Sequence, residues 1–248
     1  VVLTSVQHEQ DIRTKEISFI PSYITLEHYK EVLKPGHIVP IKEATFNSFL
    51  ISILAATLSV LISVPAAYAL ARNRLPKGNA ILYGLSSSYV FPAMLFLLPI
   101  FVMFVDLGIA DTHFTIILLY TAFMTPFLIW VSKAFVEAVP EEVEQAARLD
   151  GCNQVRLFTR IYLPVMRPGI AAAFLYAFIL SWIEFLTPLI FTAKTKMLTV
   201  CLGLYRGTID IKIGQLSAAA VLSMLPVIIL TAIFAGMITQ VMTGAEKK

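Results

Sequence analysis

The stretch EEVEQAARLDGCNQVRLFTRIYLPVMRPG, residues 141–169, decides the fold. It is the longest polar interruption between strongly apolar segments. Glu141, Glu142, Glu144, Arg148, Asp150, Arg156, Arg160 and Arg167 fall within it, and Lys133 and Glu137 stand just before it. A stretch so charged does not sit in lipid, where one charge at mid-membrane costs ~2.5–3.5 kcal/mol on insertion scales. Its local chemistry predicts two short helices. Pro140 suits a first helical turn, because the N–H it lacks has no partner there anyway. Glu141, Glu142 and Glu144 put negative charge at the positive end of the helix dipole. Val143, Ala146, Ala147 and Asp150 share one face at spacings of three and four. Ala146 and Ala147 make that face smooth enough for close approach by another protein. Gly151 suits a left-handed helix stop and Asn153 a cap for the second helix. Val155, Phe158, Ile161 and Tyr162 form the second apolar stripe. Pro164 is expected to end that helix and Pro168 to open the next segment.

On either side the chain is built for lipid. Of its 248 residues 58% are apolar and 14% charged, against about 25% charged in a soluble domain. Five apolar runs, 46–71, 80–105, 112–132, 169–193 and 216–243, each reach the ~20 residues a bilayer requires. Pro92, Pro99, Pro126 and Pro226 fall inside them and predict kinks, tolerated where neighbouring helices satisfy the backbone. The expectation is an all-α polytopic bundle with five visible transmembrane helices. The domains are an extracytoplasmic segment 1–45, a transmembrane domain 46–243 with the polar loop 137–168 inside it, and a tail 244–248. Within 1–45, Thr25 caps a short helix with Leu26, Tyr29 and Leu33 on one face.

The short loops set orientation. Arg72, Arg74 and Lys77 follow the first run, whereas 106–111 holds no Lys or Arg. Positive-inside places the first loop, and by alternation 141–169 and the C-terminus, in the cytoplasm. Lys194, Lys196, Arg206 and Lys212 in the outer loop count the other way. The net charge of +3 is scattered, without the basic stripe that nucleic acid requires. Cys152 and Cys201 fall on opposite sides and are expected free. His8, His28, His37 and His113 show no metal-ligand spacing. No phosphate-binding glycine loop or catalytic cluster is visible, so the chain is not expected to be an enzyme. Glu184 is the one acid inside a span. It is either a polar contact in a translocation path, with Trp182 and Phe185 as stacking surface, or an acid near the outer end of its helix, hydrogen-bonded to a neighbouring subunit.

The polar loop resembles the signature of permease subunits of prokaryotic ABC importers: Glu-Ala-Ala, three residues, Gly, nine residues, Ile, one residue, Leu-Pro. Here it stands as Gln145-Ala146-Ala147, Gly151, Ile161 and Leu163-Pro164 with every spacing intact, and with Asp150 before the glycine. Gln145 replaces the motif's Glu, and Glu144 stands beside it. Asn47-Ser48, Ala67-Tyr68-Ala69 with Arg72, Phe91-Pro92, Leu107-Gly108, Asp111-Thr112, Ala218-Ala219-Ala220 and Leu225-Pro226 resemble carbohydrate-type permeases, the class of the maltose importer's smaller permease. Trp182-Ile183-Glu184-Phe185 is similar to their Trp-Asn-Glu-Phe phrase, with Ile183 for Asn.

The resemblance implies a type I ABC importer permease in a prokaryotic plasma membrane, with a further N-terminal helix ahead of the opening VVLTS. It implies a second permease, ATPase subunits that bind ATP and Mg, an extracytoplasmic solute-binding protein and a sugar substrate as partners. The chain itself carries no cofactor. Glu141, Glu144, Gln145, Ala146, Ala147, Asp150, Gly151, Ile161, Leu163 and Pro164 are the implied ATPase-coupling residues. A permease for another solute such as glycerol phosphate is the nearest alternative. A secondary carrier would show internal repeats and paired intramembrane acids, and a membrane enzyme would show clustered catalytic groups.

Overall fold

A computed structural model describes residues 1–12, 23–34, 39–72, 76–90, 92, 94–205 and 212–244. Pro21, His37, Arg74, Phe91, Arg206, Gly207 and the tail 245–248, on which some sequence expectations rest, lie outside the described residues. Among the described residues all regular structure is helical. The helices are α1 (Val2–Val6), α2 (Glu9–Ile12), α3 (Glu27–Val32), α4 (Ile41–Ala71), α5 (Gly78–Val90), α6 (Met94–Asp106), α7 (His113–Glu137) and α8 (Glu141–Leu149). They continue as α9 (Gln154–Leu157), a π-helical turn Phe158–Tyr162, α10 (Leu163–Val165), α11 (Arg167–Ile183), α12 (Leu186–Phe191), α13 (Leu198–Leu204) and α14 (Ile213–Gly244).

Helices α4, α7 and α14 are each long and apolar enough to cross a membrane. Helix α11 makes a fourth span only when counted with the 154–165 segment, which meets it at 73°. Two of the five expected runs are therefore broken rather than continuous. Run 80–105 divides into α5 and α6 with Pro92 between them, because proline removes a helix N–H and its ring crowds the preceding turn. Run 169–193 divides at Glu184 and Phe185. There the Glu184 carboxylate accepts the N–H groups of Leu186 at 3.1 Å and Thr187 at 2.9 Å, which starts α12 afresh. Pro65, Pro99, Pro126 and Pro226 lie inside continuous helices.

The chain forms two compact units. The first comprises Val1–Ile51, Phe101–Ile116 and Trp182–Ile229. In it the expected apolar face of α3 is reversed. Leu26 and Leu33 are exposed, and His28 and Val32 are buried. The His28 Nε2–H donates to the Gln7 carbonyl at 2.8 Å, and its ring lies so close to Gly214 that a Cβ there would sit 2.3 Å from Nε2. A polar ring with a partner outcompetes two leucines for the interior. The same unit joins its connecting segments through short polar side chains. Asn47 donates to the Lys196 carbonyl at 3.0 Å, and Ser48 Oγ accepts from the Leu198 N–H at 2.9 Å. Asp111, at φ +58°, accepts the N–H groups of Ala193, Lys194 and Thr195 at 2.9–3.2 Å.

The second unit comprises Ser52–Ile100, Ile117–Ser181 and Leu230–Lys248, and contains the polar loop. One close approach in it is at Gly169, where a Cβ would lie 2.5 Å from the Phe135 ring. A rigid ring cannot yield that space, so only glycine fits at the start of α11.

Burial pushes the Asp111 carboxyl up, but the N–H groups of residues 193–195 and the Lys194 charge more than offset it, leaving the pKa below 3.8. A depressed folded pKa contributes stability above the ordinary value and loses it as pH falls through the folded one. Amide protection at 193–195 is therefore expected to collapse on acidification below the ordinary carboxylate range. Asp111→Asn should lower that protection already at neutral pH and remove its acid dependence, as read by hydrogen exchange.

Candidate functional site

The two-helix turn forms as its residues dictate. Helix α8 begins at Glu141 with Pro140 one position ahead, as its N-cap. It ends in a paired stop: the Gly151 N–H reaches the Arg148 carbonyl at 3.1 Å and the Cys152 N–H the Ala147 carbonyl at 3.0 Å. This hydrogen-bond pattern needs a left-handed residue at the stop, and Gly151 supplies it at φ +79°. Asn153 Oδ1 then accepts the Arg156 N–H at 2.9 Å and caps α9. Pro164 does not end the helical run, which continues to Val165. The turn before it is π-helical, with the Leu163 N–H reaching back to Phe158. That wider turn relieves the clash a proline ring makes with the carbonyl four residues earlier. The sharp turn of the chain comes afterwards, at the 73° bend before α11.

The burial of the turn differs from its apolar pattern. Glu144 and Ala147 are buried, while Val143, Ala146 and Leu149 face outward, Leu149 at 89% exposure. In the second half Leu157 and Tyr162 are buried, Phe158, Ile161 and Leu163 are half-buried, and Val155 and Pro164 are exposed. Glu141, Gln145 and Asp150 are exposed. Of the implied coupling residues, Glu141 and Glu144 converge on one group, and the rest do not.

That group is the guanidinium of Arg72, just past the end of α4, with its side chain 7% exposed. Its Nε–H donates to Tyr162 Oη at 2.7 Å and lies 3.4 Å from Glu144 Oε2. Its Nη2 donates to the Val139 carbonyl at 2.5 Å and the Val136 carbonyl at 3.3 Å. Its Nη1 reaches exposed Glu141 at 3.4 Å. Tyr162 Oη in turn donates to Glu144 Oε2 at 2.8 Å, and Arg148 closes on Glu144 Oε1 at 2.8 Å. Tyr68, one turn before Arg72 on α4, packs its ring 4.7 Å from that of Tyr162 and 5.2 Å from that of Phe158. Buried charges persist where they are paired and hydrogen-bonded, which explains why a glutamate rather than a leucine faces inward. Arg72 and Tyr162 carry the arrangement, yet neither belongs to the signature. One sequence signal pointed there: Arg72 is the first charge after an uncharged run, four residues beyond Tyr68 and so on its face of the helix.

The path candidates lie in the first unit. Trp182 is buried. Its indole N–H donates to the Ser223 carbonyl at 3.0 Å, and its ring meets Phe49 edge-on. Glu184 caps α12, and its carbonyl accepts from Thr199 Oγ1 at 2.8 Å. Phe185 is exposed, with its ring edge against Gly203.

Burial, then the Glu144 hydrogen bond, raise the Tyr162 pKa to about 12 from 10.0, against the lowering effect of Arg72. A raised folded pKa contributes stability that is complete below pH 10.0 and lost as pH rises through about 12. Tyr162→Phe strands a buried donor and acceptor, at a cost of about 1–3 kcal/mol. The variant should melt earlier at neutral pH and show a smaller further loss across that alkaline window in a thermal-melt series.

The family model described as binding-protein-dependent transport system inner membrane component matches residues 44–244. The sulfoquinovosyl glycerol transport system permease protein SmoH of Agrobacterium fabrum is 32% identical over 250 residues, covering 100% of this chain and 87% of that protein. The trehalose transport system permease protein SugB of Mycobacterium tuberculosis is 28% identical, covering 94% of this chain and 86% of that protein. A crystal structure of a bacterial ABC transporter involved in import of the acidic polysaccharide alginate matches the fold at a TM-score of 0.79 and 21% identity, over 95% of this chain and 87% of that one. The chain belongs to the family of binding-protein-dependent transport system inner membrane components.

Proposed function

We propose that this chain is one permease subunit of an ATP-driven ABC importer for a carbohydrate, and that its two-helix turn docks on the ATPase. The single observation that carries the docking reading is the polarity of α8. Its inner face is held by Glu144 on Arg72, and its outer face offers Val143, Ala146 and Leu149 to something else. An apolar side chain as exposed as Leu149, on a helix otherwise rigidly held, suits a groove in a partner. The names of these two relatives, which speak of a sulfoquinovosyl glycerol and trehalose, support a sugar as cargo.

In this reading the turn and the C-terminus face the cytoplasm, the 1–45 segment meets the solute-binding protein outside, and a second permease completes the path. The ATPase closes on nucleotide and moves the turn, and the bundle shifts between inward- and outward-facing states. The chain contributes no catalytic group of its own. It transmits work because nucleotide and solute each favour one state differentially.

Leu149→Asp should leave the chain inserted and folded, since Leu149 is 89% exposed, and should weaken ATPase capture by about tenfold or more, as expected for a central apolar anchor. Gly151→Pro, or a bulky charge at Ala146 on the same outward face, should abolish sugar uptake while the chain still inserts. Pull-down in mild detergent with mass spectrometry, followed by uptake of radiolabelled sugars into vesicles, reads both. Undiminished capture and uptake in these variants would defeat the docking role. Uptake of glycerol phosphate but of no sugar would move the cargo to the alternative.

A further inference from the structure

One side chain ties three separate segments of the second unit together. Arg72 extends from the C-terminal end of α4, a helix uncharged from Ala44 to Ala71. Its backbone N–H continues the helix to the Tyr68 carbonyl, and the partners of its guanidinium are all more than sixty residues away. The Val136 and Val139 carbonyls it holds belong to the last turn of α7 and the residues after it, where helix carbonyls lack intrahelical partners. Glu144 belongs to α8, and Tyr162 to the second half of the turn. The planar fork of a guanidinium serves these directions at once, and an ammonium does not. Tyr162 Oη accepts from Arg72 and donates to Glu144, so the three side chains form one closed set. The Tyr68 ring, on the same face of α4, covers it. Any movement of α8 relative to the end of α4 must break buried, charged hydrogen bonds together.

Resting on the coupling role given above, we propose that Arg72 is a positioning residue for energy coupling: through Tyr162 and Glu144 it makes the end of α4 and the two-helix turn move as one body. A push on α8 then reaches a membrane-crossing helix directly, without passing first through the bent start of α11. Arg72 touches neither nucleotide nor solute in this role.

The test uses the complete transporter in lipid nanodiscs, with Cys152→Ser and Cys201→Ser, and spin labels at Leu61→Cys on α4 and Val165→Cys after the turn. Both labelled positions are exposed and lie in the same unit. Pulsed EPR measures the distance between labels without nucleotide and with a non-hydrolysable ATP analogue. In the parent complex the distance should be the same in both states. In Arg72→Gln it should shift on the order of 2 Å or more with nucleotide, the scale of helix shifts in switching proteins. Arg72→Lys, which keeps the charge and loses the fork, should shift in the same direction and by less. A role in stability alone would lower yield or melting temperature and leave the distance independent of nucleotide. That result overturns the proposal, as does a parent distance that itself changes with nucleotide. Loss of assembly in both Arg72 variants would also overturn it, assigning the residue to folding. A parent chain that captures no ATPase defeats the coupling reading itself, and is seen before any Arg72 variant is made.

Discussion

A guanidinium buried at the end of a long apolar helix is the constraint on which the rest of this unit depends. Burying Arg72 costs far more than burying a leucine, and a buried charge is tolerated only with its partners in place. Its buried partners are drawn from residues 136, 139, 144 and 162, so burying it fixes the path of the chain from the end of α7 to the turn before α11. The orientation of α8 follows: Glu144 must face in, and the residues one face away must face out. The exposure of Leu149 and Val143 is thus a consequence of the ion pair beneath them.

The backbone of the turn was legible from local chemistry, and its orientation was not. Gly151 adopts the left-handed conformation that a glycine after Asp150 suggests, and Asn153 caps the helix its position predicts. Both are short-range events, decided within a few residues. Which face of α8 is buried depends on Arg72, seventy-two residues from Glu144, and on Tyr162. Periodicity assigns apolar residues to the interior, and here a paired carboxylate displaced them. Helix α3 repeats the lesson, with His28 inside and Leu26 and Leu33 outside. In both places a polar side chain with a distant partner outranks apolar pattern, and a pattern read from one segment has no access to that partner.

The membrane spans show the same limit from another side. Apolar runs set where lipid can surround the chain, and α4, α7 and α14 follow them. Whether a run is one helix or two is decided by single residues. Pro92 separates α5 from α6, yet Pro65, Pro99, Pro126 and Pro226 sit within intact helices. A proline's presence alone does not separate these outcomes. The break at Glu184 falls one turn before Pro188, whose ring crowds the Glu184 carbonyl and whose missing N–H cannot bond to it, and the Glu184 carboxylate takes up the N–H groups of the next turn. The same capping bonds give Glu184 a full structural occupation, and Trp182 has one in the Ser223 carbonyl. Of the three candidate path residues Phe185 is the one left largely exposed by its own chain.

The departure of this chain from its signature takes on meaning once the inner and outer faces of α8 are distinguished. The residue at the motif's first position, Gln145, points outward, and the carboxylate beside it, Glu144, points inward onto Arg72. Glutamine in place of glutamate therefore removes a charge from the exposed face and leaves the buried set intact. The helix dipole is served as before, since Glu141, Glu142 and Glu144 remain in the first turn. Exposed charges govern the rate and selectivity of association more than its strength. An uncharged Gln145 thus changes the charge of the exposed face of α8 and leaves intact the buried set that holds its inner face to Arg72. The two neighbouring positions answer to different surroundings: one to the exposed face, the other to Arg72.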